Sequence, residues 1–277
     1  SDLFIGGVDI GVMAPMLLAT ALLRRGHVDQ AYTEHDRAGA MAVALGDGIA
    51  LHVVHFFAAR DLIWLEDFEA AQARLEACIA LQEETGAHGL LASAPILARG
   101  WCDLHQGDAE GGLARIEGGL AGWPYRGFRA SYLGELAAAQ ARCGRAVDRL
   151  AEFQASIAVP EENGPLNRGR VYRLYGDVLA TLSEPALEKA EEAYRKAIRV
   201  CEAHGDRVDG LAASIALAEV LADTERRAEG RAALRKAYEA FTEGHTAPLL
   251  QRAKAVLAGA STESVGMGRP ETRNPAP

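Results

Sequence analysis

Small residues recur at three fixed places along this chain, six times each. One ladder is Ala19, Ala59, Gly100, Ala137, Gly176 and Ala218. A second is Ala31, Ala71, Gly112, Arg149, Ala190 and Gly230. The third is Ala38, Cys78, Gly119, Ser156, Ala197 and Ala237. Steps within each ladder are 37 to 42 residues, and of the eighteen positions only Arg149 is large. A period in this range with small residues at fixed offsets marks stacked helical hairpins, because small side chains stand where two helices approach closely. The fold predicted is all-α, a right-handed superhelix (α-solenoid) of about six hairpins. Such arrays expose long concave surfaces suited to binding.

Composition agrees. The chain is rich in Ala, Leu, Arg and Glu and poor in aromatics (6%), which favours helix. A net charge of −9 argues against a general nucleic-acid or anionic-membrane binder. No apolar run reaches the roughly 20 residues of a membrane span. The most apolar early stretch, residues 12–23, contains Pro15, ends in Arg24-Arg25 and lacks a basic leader, so it does not read as a signal peptide. The four cysteines form no CxxC pair and read as structural thiols of a cytoplasmic protein.

Each repeat reads as helix, tight turn, helix, loop. Turns fall at Arg25-Gly26-His27, Glu66-Asp67, Gly107-Asp108, Gly144, Ser183-Glu184-Pro185 and residues 223–226. Glycine supplies the left-handed helix stop and Asp opens the next helix. The run Pro160-Glu161-Glu162-Asn163-Gly164-Pro165 reads as a breaker after the fourth repeat. Residues 9–258 are the array, with a short capping helix near 247–257. Residues 259–277, rich in Ser, Thr, Gly, Arg and Pro, read as a disordered tail. Residues 1–8 read as a fragment of a preceding element, so the array reads as starting mid-stream.

These residues resemble the tetratricopeptide repeat. In the third repeat Gly100, Gly107-Asp108, Gly112, Ile116, Gly119 and Pro124 stand where that motif wants Gly, Gly-Asp, Ala, a large apolar residue, Ala and Pro. The fifth is similar in Tyr172, Tyr175-Gly176, Ala190, Tyr194 and Ala197. The period exceeds the usual ~34 residues, and His35 and Arg149 depart from the pattern. Residues 174–179, 190–194, 241–244 and 6–12 also resemble the C-terminal repeat region of large bacterial signalling proteins. There a nucleotide cyclase or winged-helix domain and a P-loop ATPase precede the array. The resemblance implies a regulatory or scaffolding arm and carries no catalytic residue into this chain.

Motifs for enzymatic chemistry are missing from the sequence: there is no GxxxxGK[ST], GxGxxG after a strand, GxSxG, HExxH or EF-hand loop. His52 and His55 lie three apart but have no third ligand at metal spacing, so core histidines are the plainer reading. The expectation is therefore no enzyme, no cofactor and no metal. Register projection puts first-helix residues on the concave face. One column is Arg24, Trp64, His105, Arg142, Thr181 and Asp223; its neighbour is Thr20, Arg60, Trp101, Ala138, Asp177 and Glu219. Arg170 and Arg173 join them. Arg pairs bidentately with carboxylate, and Trp with Arg typifies binding hot spots. The groove predicted from Arg24, Arg60, Trp64, Trp101, His105, Arg142, Arg170, Arg173 and Asp177 would take an acidic or mixed-charge peptide, from a partner protein or from an upstream domain of the same polypeptide. On the plainer alternative, Trp64 and Trp101 fill gaps between helices and the arginines are solvated. The rival function is small-ligand sensing, since transcriptional activators resembling this architecture bind a sugar inside the repeat superhelix.

Overall fold

The computed structural model describes residues 4–5, 8–86, 90–121, 129–145, 147–182 and 184–259. Its fold is all-α: thirteen helices among the described residues, preceded by a two-residue antiparallel ribbon. In that ribbon β1 (Phe4–Ile5) pairs with β2 (Val8–Asp9), Ile5 facing Val8. Val8 is buried with Val12, Met16 and Val53, so the ribbon covers the first hairpin's apolar end. The predicted tail from residue 260 onward lies outside the described residues, as do Gly6, Gly7 and Pro124.

Helices pair in chain order: α1 (Ile10–Arg24) with α2 (Val28–Leu45), α3 (Gly48–Trp64) with α4 (Phe68–Thr85), and α5 (Leu90–His105) with α6 (Ala109–Ala121). Then come α7 (Arg129–Arg142) and the short α8 (Leu150–Ile157), α9 (Pro160–Thr181) with α10 (Leu187–His204), α11 (Arg207–Val220) with α12 (Arg227–Glu239), and α13 (Pro248–Ala258). Local chemistry sets the boundaries. Asp47, Asp67 and Asp206 accept hydrogen bonds from backbone N–H groups in the first turns of α3, α4 and α11. Gly46, Gly86, Gly205 and Gly259 take the left-handed conformation that ends α2, α4, α10 and α13.

The first ladder is buried throughout, and each small residue lies in a helix contact. The closest approach is α5 on α6. A Cβ on Gly100 would stand 2.6 Å from the Gly112 carbonyl oxygen, and one on Gly112 2.7 Å from the Gly100 oxygen. Arg149, the exception, is the N-cap of α8 rather than an interface residue, and its side chain pairs with Glu152. Because α8 is short, α7 packs directly on α9. The expected breaker at 160–165 is a correction: these residues are helical and form the first turns of α9. Pro160 sits at the helix start, where its missing N–H is not needed.

The first two described hairpins meet the last helices. Leu23, Val28 and Leu65 share one core with Val208, Leu211, Ile215, Phe241 and Leu249. Leu249 N–H donates to the Leu65 carbonyl at 2.9 Å, and α1 touches α11. Helix α13 covers α11 and α12 as a cap would, and also wedges against the second hairpin's turn. No described helix is long and apolar enough to cross a membrane.

Candidate functional site

The first helices of successive hairpins face one another around a cavity of about 160 Å³, walled by α3, α5, α7 and α9. Its walls are mainly apolar. Phe56, Phe57 and Trp64 come from α3, Leu97, Ala98 and Trp101 from α5, and Tyr132 from α7. The polar lining is Arg60, Ser131, Glu135, Asn167 and Arg170.

Trp64 is the hub. The guanidinium carbons of Arg60, Arg24 and Arg170 lie 4.5, 4.7 and 5.4 Å from its ring centroid. Such contacts are favourable, more so when shielded from water. Each arginine also has its own carboxylate. Arg60 pairs with Asp61 at 3.0 Å and donates to Thr20 Oγ1 at 2.8 Å. Arg24 pairs with Asp206 and donates to Asn167 at 2.8 Å. Arg170 reaches Glu135 at 3.1 Å and Asp209 at 3.4 Å. Buried charges are tolerable only when matched in this way.

The carboxylates respond differently to the same burial. Burial raises the pKa of Asp61, but Arg60 and His35, the latter 2.9 Å away, more than offset it and hold Asp61 below its ordinary value. For Glu135, burial outweighs Arg170 and raises the pKa. Asp206 is pushed up to about 7 by burial and by Asp209, against the pull of Arg24.

One or two turns further along α5, α7 and α9 lies a second group. His105 stacks on Phe68 with ring centroids 4.0 Å apart. Burial, followed by the charge of Arg142, depresses its pKa well below the usual histidine range. The neutral ring presents Nε2 to Arg142 Nη1 at 3.0 Å. Arg173 pairs with Asp177, which also accepts from Tyr194 Oη at 3.0 Å. Arg252 of α13 bridges Glu66 and Glu219, at 2.7 and 2.8 Å.

Of the nine groove residues predicted, Arg60, Trp64, Trp101 and Arg170 line the cavity, and Arg24 backs onto it. His105, Arg142, Arg173 and Asp177 form the second group. Arg24, Trp101 and Arg170 are buried: Arg24 where α1 meets α11, and Trp101 in the core that α5 shares with α3 and α7. Thr181 and Asp223 are exposed, and the Thr181 hydroxyl turns back to the Asp177 carbonyl of its own helix. Sequence reasoning missed Phe57, Ser131, Tyr132, Glu135 and Asn167. Phe57, Glu135 and Asn167 stand three residues before Arg60, Ala138 and Arg170, so extending the projected columns one turn toward the helix starts would have found them.

No protein-family model matches the chain, and no curated protein matches it. His52 is buried, its ring nitrogens each 2.9 Å from a carbonyl oxygen, of Cys78 and of Leu91. It ties α3 to α4 and α5. Among the described residues no three His, Cys, Asp or Glu side chains converge as metal ligands. Burial pushes the thiols of Cys78 and Cys102 up to about 12, as for inert core cysteines.

Proposed function

We propose that the chain is a ligand-binding regulatory module, a tetratricopeptide-like superhelix whose inner face holds a small, mainly apolar molecule. The observation that carries this is the cavity among α3, α5, α7 and α9, with an aromatic wall and a few convergent polar groups. A sensor arm of a bacterial signalling protein suits such a device. A ligand bridging four successive hairpins stabilises one arrangement of the array over others, which a neighbouring domain can read. Trp64 and Trp101 line the cavity, so their emission reports occupancy. Titration with a neutral non-aromatic ring such as cyclohexanone should shift that emission saturably. Ala98→Phe, which fills the space, should abolish the shift; an unchanged response in that variant contradicts the reading.

A second reading, an acidic peptide partner, is favoured by Arg142. Its guanidinium meets His105 and the Trp101 ring, with no carboxylate within 4 Å among the described residues. A partner carboxylate would complete that site. On this reading Arg142→Glu abolishes peptide capture while the cavity still binds cyclohexanone, as calorimetry would show.

A further inference from the structure

Resting on the small-ligand reading, we propose that the cavity is built for a neutral monocyclic phenol, its ring among Trp64, Phe57 and Trp101 and its hydroxyl between Ser131 and Glu135. Four observations carry this. The first is size. A cavity of about 160 Å³ matches the ~150 Å³ of an engineered apolar cavity that holds benzene, so one six-membered ring fits.

The second is an orphan polar atom. Ser131 is 6% exposed and lines the cavity. Its Oγ is buried without a hydrogen-bond partner among the described residues. Buried polar groups are nearly always paired, and exceptions call for an explanation. A ligand oxygen supplies one.

The third is the placement of Glu135. It stands four residues after Ser131 on α7, hence on the same helical face one turn along. Its Oε1 accepts from Arg170 at 3.1 Å. A carboxylate has about four lone-pair sites, so it can accept from a ligand hydroxyl as well. A phenol satisfies both neighbours with one group: its oxygen accepts from Ser131 Oγ–H and its O–H donates to Glu135. Toluene satisfies neither.

The fourth is charge. Arg60 is matched by Asp61, and Arg170 by Glu135 and Asp209. An aromatic carboxylate would add an unmatched charge beside Glu135. A cationic ligand would meet three guanidiniums already gathered around Trp64. A sugar carries more hydroxyls than these walls can pair, and each one left unpaired weakens binding. A neutral ring with a single hydroxyl is what remains.

The test is isothermal titration calorimetry of the full chain with phenol, toluene and benzoate, in wild type and Ser131→Ala. That variant removes an unpaired hydroxyl in a helix and should fold, which its melting curve checks. The expected result is phenol binding about tenfold tighter than toluene, with benzoate weaker than phenol. Ser131→Ala should bring phenol and toluene to within about threefold. If toluene equals phenol in wild type, or if the preference survives in Ser131→Ala, the phenol assignment is overturned while the cavity reading stands. If neither phenol nor toluene binds wild type, both fall.

Discussion

Glu66 shows how single residues hold the first hairpins to the last helices. It is the one described non-glycine residue with positive φ, at 61°. It stands in its hairpin turn where Gly26, Gly107 and Gly144 stand in theirs. A side chain there costs about 1 kcal/mol, and its carboxylate is held by Arg252 from α13. Arg252→Ala should therefore cost about 1–2 kcal/mol, since it strands partly exposed Glu66 and Glu219 together. In that background Glu66→Gly should raise the melting temperature, because it removes both the backbone strain and the carboxylate left facing Glu219. A drop there would mean that Glu66 does not act through Arg252.

Asp206 makes a pH prediction at the same scale. Its folded pKa of about 7 lies above its ordinary 3.8. Between those values the folded state holds a proton that the unfolded chain has released. Stability from this group therefore rises as pH falls from 7 towards 4 and is lost as pH rises through 7. Urea unfolding across pH 4–8 should show this slope in wild type and lose it in Asp206→Asn. The same slope in both would assign the titration elsewhere.

At the scale of helices, the α5–α6 contact depends on backbone proximity. Gly100→Ala puts its new carbon 2.6 Å from the Gly112 oxygen, forcing the helices apart at a cost of about 2–3 kcal/mol. Gly118, exposed on α6 with open space beyond it, should behave oppositely, Ala there stabilising by about 0.5–1 kcal/mol. Denaturant melts of the two variants test this; equal effects would mean that helix propensity alone operates. The same glycines explain why the hairpins were legible in the sequence. A ladder of small residues is a local record of close helix packing, and even its exception, Arg149, marked the repeat whose second helix is short. The breaker at 160–165 was misread because proline at a helix start looks, in sequence, like proline that ends one.

For the whole molecule, the decisive contacts join residues far apart in the chain: Arg24 with Asp206, Leu65 with Leu249, and Asp29 with Gly244. No period in the sequence reports them, because a repeat records packing between neighbours in the chain and not between its first and last helices. The cavity residues were half legible for the same reason. A column of Arg60, Trp64 and Trp101 shows which face turns inward. Its depth, and so the role of Ser131 and Glu135, follows only once the first hairpins have met the last helices. The closure also makes a prediction: Leu249→Ala, buried in the shared core, should cost about 2–5 kcal/mol and loosen the first hairpin along with the last. Hydrogen exchange would show protection lost in α1 as well as α13; loss confined to α13 would argue against joint packing.

The cavity among α3, α5, α7 and α9 is proposed to hold a small ring. Thermal unfolding in saturating toluene tests this, with wild type beside Ala98→Phe. Ligand that binds only the folded state raises the melting temperature by mass action. The melting temperature should rise in wild type and stay unchanged in the filled variant. No rise in wild type, or an equal rise in both, would contradict it.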